Sequence, residues 1–384
     1  MNLKAVLQWI TYYLKCLFNI IFSCLNSFNK IKTIIKTKNR LVKKFIKHAK
    51  TKYNSIKKIN NYFYIVKLSG TYYSMGKQFG NKTKPIILKD VDIMYNFIKS
   101  NQGIFLKRIP KNYRKQCIFE SLYIYYKDVK KYLNPDIIDF INGVSCSLNM
   151  DPKKLLLINL FTDITNNHCI LLSKKINNKQ LNMRTLDFGL PLITHFLIVY
   201  KPVNKIPYIS LTAGPLFGCY TGISSKNVFF GETYYDTNIG INTLIGTPYH
   251  HISHKILSES TTLKEAELLL KSMDRKSNLQ LLISDGKESA LFLSCKDKCI
   301  VQQESLKKNI IYSVTPIEKA NFDKNFHYLT DIDTIIKSFI PKTRSGEQHV
   351  LITYDNNIYV SVTTALFQSY NNNFYKFSMK KIFS

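Results

Sequence analysis

Acidic side chains are absent from the first 89 positions of this 384-residue chain, where Asp90 is the earliest, yet 19 of its 55 Lys and Arg fall there. The net charge of +30 is therefore concentrated toward one end. A cysteine framework is also missing: the eight cysteines (16, 24, 117, 146, 169, 219, 295 and 299) are scattered, and only Cys295 and Cys299 lie close. No zinc-spaced histidines accompany that pair, so neither a disulfide scaffold nor a metal centre is indicated, and a reducing compartment is expected. His250, His251 and His254 could place two imidazoles on one helical face, but no carboxylate lies at a supporting spacing. An exposed or helix-capping role is expected for them. No motif implies a cofactor, and no internal repeat is present.

A clean apolar run is lacking too. Within residues 3–28, Lys4, Gln8, Thr11, Lys15, Asn19, Ser23 and Asn26 step by three or four and form a polar stripe on an otherwise apolar helix. Two lysines argue against an ordinary membrane span, and no small-residue cleavage site suggests a secretory signal. A helix lying in the membrane interface fits better. Twelve cations follow between Lys30 and Lys58, interleaved with Ile31, Ile34, Ile35, Leu41, Val42 and Phe45. Near an anionic membrane surface such cations contribute about 1 kcal/mol each. Nucleic acid competes for any basic run, but the regularly spaced stacking aromatics of single-strand binders are absent. The expected organisation is a membrane-associated helix (1–29), a basic amphipathic segment (30–60) and a domain over 61–384 facing the cytoplasm.

Within that domain Cys169 opens an apolar strand, the chain turns at Lys174–Lys179, and a second strand carries Arg184 and Asp187. Pairing of two strands this long brings the start of the first near the end of the second. Cys169 should therefore face Arg184 and Asp187. A guanidinium beside a thiol favours the thiolate, the nucleophilic form. No histidine follows at a position where it would serve as base. Cleavage between His168 and Cys169 would supply one, since the new α-amine has a pKa of roughly 8.

Other segments point the same way. Gly70-Thr-Tyr-Tyr-Ser-Met-Gly76-Lys-Gln-Phe-Gly80, Ile141-Asn-Gly143-Val-Ser-Cys-Ser, the glycine-punctuated Gly218–Gly231 stretch, Gly246-Thr-Pro248 through Ala266, and Gln348–Asp355 stand in a fixed order. Together with the Cys169 hairpin they resemble the acyl-CoA:isopenicillin N-acyltransferase-like proteins, peptidase family C45, over about residues 62–361. The resemblance implies an N-terminal nucleophile hydrolase that cuts itself before Cys169, into an α part (61–168) and a β part (169–384). It makes Asp187 the holder of the new amine and Arg184 the neighbour of the thiol. Thr315, in Tyr312-Ser-Val-Thr315-Pro, stands where that family places an oxyanion-binding asparagine.

Helices expected over 74–84, 86–105, 113–132, 136–147 and 153–166 precede a strand-rich second half, interrupted by helices near 248–258 and 262–273. That order reads as α+β. With the resemblance, it implies a four-layer αββα sandwich of two antiparallel sheets behind an N-terminal helical extension. A first strand is expected at Tyr62–Leu68, and Pro341–Gly346 as an exposed loop. Two functions stand. One is an amide hydrolase or N-acyltransferase working through an acyl-thioester on Cys169, with a small acylated amide or acyl-CoA as substrate. The other is a degenerate, membrane-attached homologue with a binding or structural role, which the threonine at 315 favours.

Overall fold

A computed structural model describes residues 55–165, 169–234, 240–241, 243–276, 279–305, 309–314 and 316–384. The segment expected to be a membrane-associated helix, most of the basic segment, His168 and Thr315 lie outside the described residues. Among the described residues no helix is long and apolar enough to cross a membrane.

Two sheets carry the architecture. One has nine strands: β1 (Ser55–Asn60), β2 (Phe63–Gly70), β5 (His195–Pro202), β6 (Tyr208–Ala213), β7 (Thr221–Ser224), β8 (Phe229–Tyr234), β9 (Leu279–Ser284), β10 (Ser289–Ser294) and β11 (Cys299–Glu304), in that spatial order. The other, of six, runs β12 (Ile310–Ser313), β3 (Leu171–Ile176), β4 (Lys179–Leu186), β13 (His349–Tyr354), β14 (Asn357–Val362) and β15 (Tyr375–Ser378). Side-chain alternation explains the layering. Ile65, Leu171, Leu197, Leu211 and Leu351 meet in one apolar layer that draws on both sheets. Their neighbours Val66, Phe196 and Ile198 pack with the helices that cover the nine-stranded sheet. Ile170, Leu172, Met183, Val350 and Ile352 pack instead with Phe322, Ile335, Phe339 and Ile340 on the far side of the six-stranded sheet. The result is the expected αββα sandwich, and its inner strands are apolar on both faces.

The sheets and the first helix depart from expectation. The nine-stranded sheet is not wholly antiparallel, since β2 and β5 pair in parallel, Phe63 opposite His195 through Gly70 opposite Pro202. The chain enters the sheet earlier than Tyr62: β1 takes the end of the basic segment, with Lys57 and Lys58 exposed on an edge strand that they protect from further pairing. Helix α1 runs unbroken from Tyr72 to Ser100 through Pro85. Pro85 is exposed, so the carbonyl it leaves without a helical partner faces water.

Next come α2 (Gln102–Arg108), α3 (Ile118–Val129), α4 (Pro135–Leu148) and α5 (Pro152–Phe161). Glycine sets how closely α1 and α4 approach. A Cβ on Gly76 would sit 2.1 Å from the Phe140 carbonyl oxygen, and one on Gly143 2.1 Å from that of Tyr73. Both glycines belong to the segments that carry the resemblance. Helices α6 (Tyr249–Glu259) and α7 (Leu263–Ser272) complete the cover of the larger sheet.

Candidate active site

Strand alternation alone sends Arg184 inward, because Met183 on β4 belongs to the outer apolar cluster. Its guanidinium is wholly buried between the sheets and is held by the opposite one. Nε donates to the Glu232 carbonyl at 2.8 Å, and Nη1 to the Tyr220 carbonyl at 2.7 Å and to Thr221 Oγ1 at 2.5 Å. Nη2 faces the Glu232 carboxylate at 3.4 Å and Cys169 Sγ at 3.6 Å. Gly231 on β8 makes this possible, since a Cβ there would come within 3.3 Å of the Arg184 Cβ. A buried cation is tolerable only with such partners, and here every arm of the guanidinium has one.

The β3–β4 register sets Leu171 opposite Arg184, so Cys169, two residues before Leu171, shares its inward face. Cys169 lies just before β3, which starts at Leu171 rather than at the cysteine itself. The sulfur is fully buried. Burial pushes the thiol up to about 12; the Arg184 charge pulls down, the Glu232 and Asp187 carboxylates push up, and a hydrogen bond from the Asp187 backbone N–H pulls down. The thiolate expected from Arg184 is thus not the form in this uncut chain. The guanidinium acts in the expected direction, but it is shared with Glu232 and desolvation outweighs it.

Asp187 directly follows β4, and its carboxylate sits in a cradle that the sequence did not disclose. Oδ1 accepts from the backbone N–H groups of Gly346 and Glu347, both at 2.7 Å, and Oδ2 from Ser345 Oγ at 2.5 Å. Thr185 Oγ1 touches Ser345 Oγ at 2.6 Å and accepts from the Ile170 N–H at 2.7 Å. One hydroxyl network thereby joins Asp187 to the residue after Cys169. The expected exposed loop at Pro341–Gly346 is corrected here. Pro341 continues a short helix, Arg344 and Gly346 turn back through left-handed conformations (φ 56° and 102°), and Ser345 is buried. Consecutive N–H groups in such a turn form a concavity suited to a carboxylate. A Ser-Gly pair after a helical stretch was the available signal.

The histidines are also corrected. His250, His251 and His254 are all buried, not exposed, because α6 packs its first turns against the larger sheet. His254 Nδ1 lies 2.7 Å from Tyr208 Oη, and His251 Nδ1 accepts from the Asn134 N–H at 2.9 Å. Among the described residues no cluster of His, Cys, Asp and Glu is arranged to hold a metal.

A cleft of about 690 Å³ opens at Glu232. Its buried walls include Asp163, Tyr249 and Lys276, and its outer wall is the segment from Lys107 to Arg114. Lys276 Nζ meets Asp163 Oδ1 at 2.5 Å in a buried ion pair. Chemically, the site combines a buried thiol, a fixed cation beside it, a carboxylate anchored one residue beyond the hairpin's end, and a cavity of ligand size that reaches Glu232.

No family model matches the chain, and no curated protein matches it. Solved structures similar to it include penicillin V acylase from Agrobacterium tumefaciens, 11% identical, covering 56% of this chain and 86% of the acylase at a TM-score of 0.34. An N-acylethanolamine-hydrolyzing acid amidase ortholog from Caenorhabditis elegans is 12% identical, covering 48% of this chain and 92% of its own at 0.42. A conjugated bile acid hydrolase from Clostridium perfringens is 10% identical, with 56% and 94% covered at 0.33.

Proposed function

We propose that this protein is a cysteine amide hydrolase of the N-terminal nucleophile kind, activated by cutting itself between His168 and Cys169. The observation that carries the reading is the convergence of Cys169, Arg184 and Asp187 at one end of the β3–β4 hairpin, inside an αββα sandwich. The resemblance in sequence supports the same roles. In the uncut chain the thiol is protonated and buried. Release of the α-amine would place a base on the nucleophile's own residue, and the anchored Asp187 carboxylate would hold that amine. Cys169 would then attack the acyl carbonyl of its substrate, forming a thioester as the donor's C–N or C–S bond breaks and the amine or thiol leaves with the proton taken from Cys169. Water resolves the thioester to the free acid in a hydrolase, and an amine resolves it to a new amide in an acyltransferase of the C45 type.

Thr315, two residues beyond the end of β12 at Ser313, is the proposed contributor to oxyanion binding. Residues 1–60 are proposed to attach the protein to an anionic membrane surface and to leave the chemistry untouched. The test of function is trapping: incubation with N-acyl amides of several chain lengths, quenching in acid, and peptide mass mapping. An acyl adduct on Cys169, absent in Cys169→Ala, is expected. Release of amine with no requirement for Cys169 would overturn the reading.

A further inference from the structure

The cleft has two ends of different electrostatic character. At its buried end the charges cancel in pairs: Glu232 lies against Arg184 at 3.4 Å and Asp163 against Lys276 at 2.5 Å. At its outer end Lys107, Arg108, Lys111 and Arg114 line one wall and are exposed. None of these four forms an ion pair with a carboxylate among the described residues. A strongly basic chain spreads lysines over much of its surface. This segment differs because four cations within eight residues line a single cavity, and that cavity reaches the carboxylate touching the guanidinium beside Cys169.

The segment is also built to hold its shape. Arg114 donates to the carbonyls of Lys107 at 3.1 Å and Ile109 at 2.9 Å, curling the chain back on itself. Ile109 and Tyr113 are buried beneath it. The Tyr113 ring packs edge-on against Tyr125 at 5.7 Å, and Tyr125 Oη donates to the Leu244 carbonyl in the facing wall at 2.8 Å. The cations thus stand on an anchored strip, and a concave low-dielectric wall focuses their field into the cavity.

We infer that the cleft accepts acylated substrates bearing an anionic group, a carboxylate, sulfonate or phosphate, with the anion seated on the Lys107–Arg114 wall and the acyl bond directed toward Cys169. This inference rests on the amide-hydrolase reading for the bond, but not for the binding preference. The test is equilibrium binding to full-length Cys169→Ala, which removes turnover. Two ligands of equal length are compared, N-dodecanoylglycine and its uncharged counterpart N-dodecanoylglycinamide. At low salt the carboxylate should bind about tenfold more tightly, the scale of one well-placed charge pair near a surface. Half-molar salt should erase most of that advantage, because exposed charges are screened. The double variant Lys107→Gln/Lys111→Gln should abolish it while leaving glycinamide binding unchanged.

Equal affinity for the two ligands, no binding of either, or a preference that survives the double variant would overturn the inference. Failure of the amide-hydrolase reading registers separately. In that case the wild-type chain releases no amine from either ligand, whatever the binding preference.

Discussion

Between the sheets, the single cation at Arg184 has a partner on every arm; on the outer wall of the cleft, four cations have no carboxylate partner among the described residues. Glu232, the carboxylate against Arg184, also lines the cavity of the outer wall, yet the two regions put positive charge to opposite uses. Buried charge is costly unless fully satisfied, so the interior tolerates only a fixed, neutralised arrangement that can orient a nucleophile. Exposed charge costs little, so the wall can keep its cations available to a ligand. Substitutions in the first region should therefore act on stability and chemistry together, and those in the second on binding alone.

The largest effect should come from Arg184. Arg184→Ala strands the Glu232 carboxylate and removes the donor to two buried carbonyls, which should cost about 3–5 kcal/mol in denaturant unfolding. Lys276→Met, which breaks the buried pair with Asp163, belongs to the same class and should cost a similar amount. Lys111→Gln on the outer wall should move stability by no more than about 0.5 kcal/mol. Comparable losses for Lys276→Met and Lys111→Gln would erase the distinction between the regions.

Acid should reveal the interior as well. Burial holds His195 and His251 at about 3, far below the usual imidazole value. A depressed pKa in the fold means stability that is present above about pH 6.5 and lost as pH falls toward 3. Asp136, held at about 2 against burial by His254 and then Lys205, extends the loss below pH 4. The combined loss should be read as a falling denaturant midpoint between pH 6.5 and 3. His195→Gln should flatten part of that slope, and an unchanged profile would count against neutral buried rings.

Much of this site was legible in sequence because strand geometry is simple. A period of two, applied to β3 and β4, puts Cys169 and Arg184 on one inward face, and the glycines of α1 and α4 mark a close helix crossing. What escaped was set by contacts remote in sequence. The Ser345–Glu347 cradle matters only because Asp187, nearly 160 residues earlier, leaves β4 there. Glu232 gave no signal, since only the folded sheet brings β8 against β4. The parallel β2–β5 pairing spans the whole helical α part, and no local pattern encodes such a contact. The protonated thiol likewise depends on a balance between burial and two neighbouring carboxylates, which no spacing reveals.

A smaller effect than that of Arg184 concerns Thr315. If its hydroxyl serves the oxyanion, Thr315→Asn should raise the rate of acyl-enzyme formation by about tenfold, and Thr315→Val should lower it. Single-turnover kinetics distinguish the two, and no change in either variant would remove Thr315 from the site.

Self-cleavage is the claim on which the rest depends, and intact-mass analysis of the folded protein over time tests it most directly. The account predicts replacement of the full chain by fragments covering residues 1–168 and 169–384, the second beginning at Cys169, with no cleavage in Cys169→Ala. A folded wild-type chain that stays whole, or one cut equally well in Cys169→Ala, would contradict it.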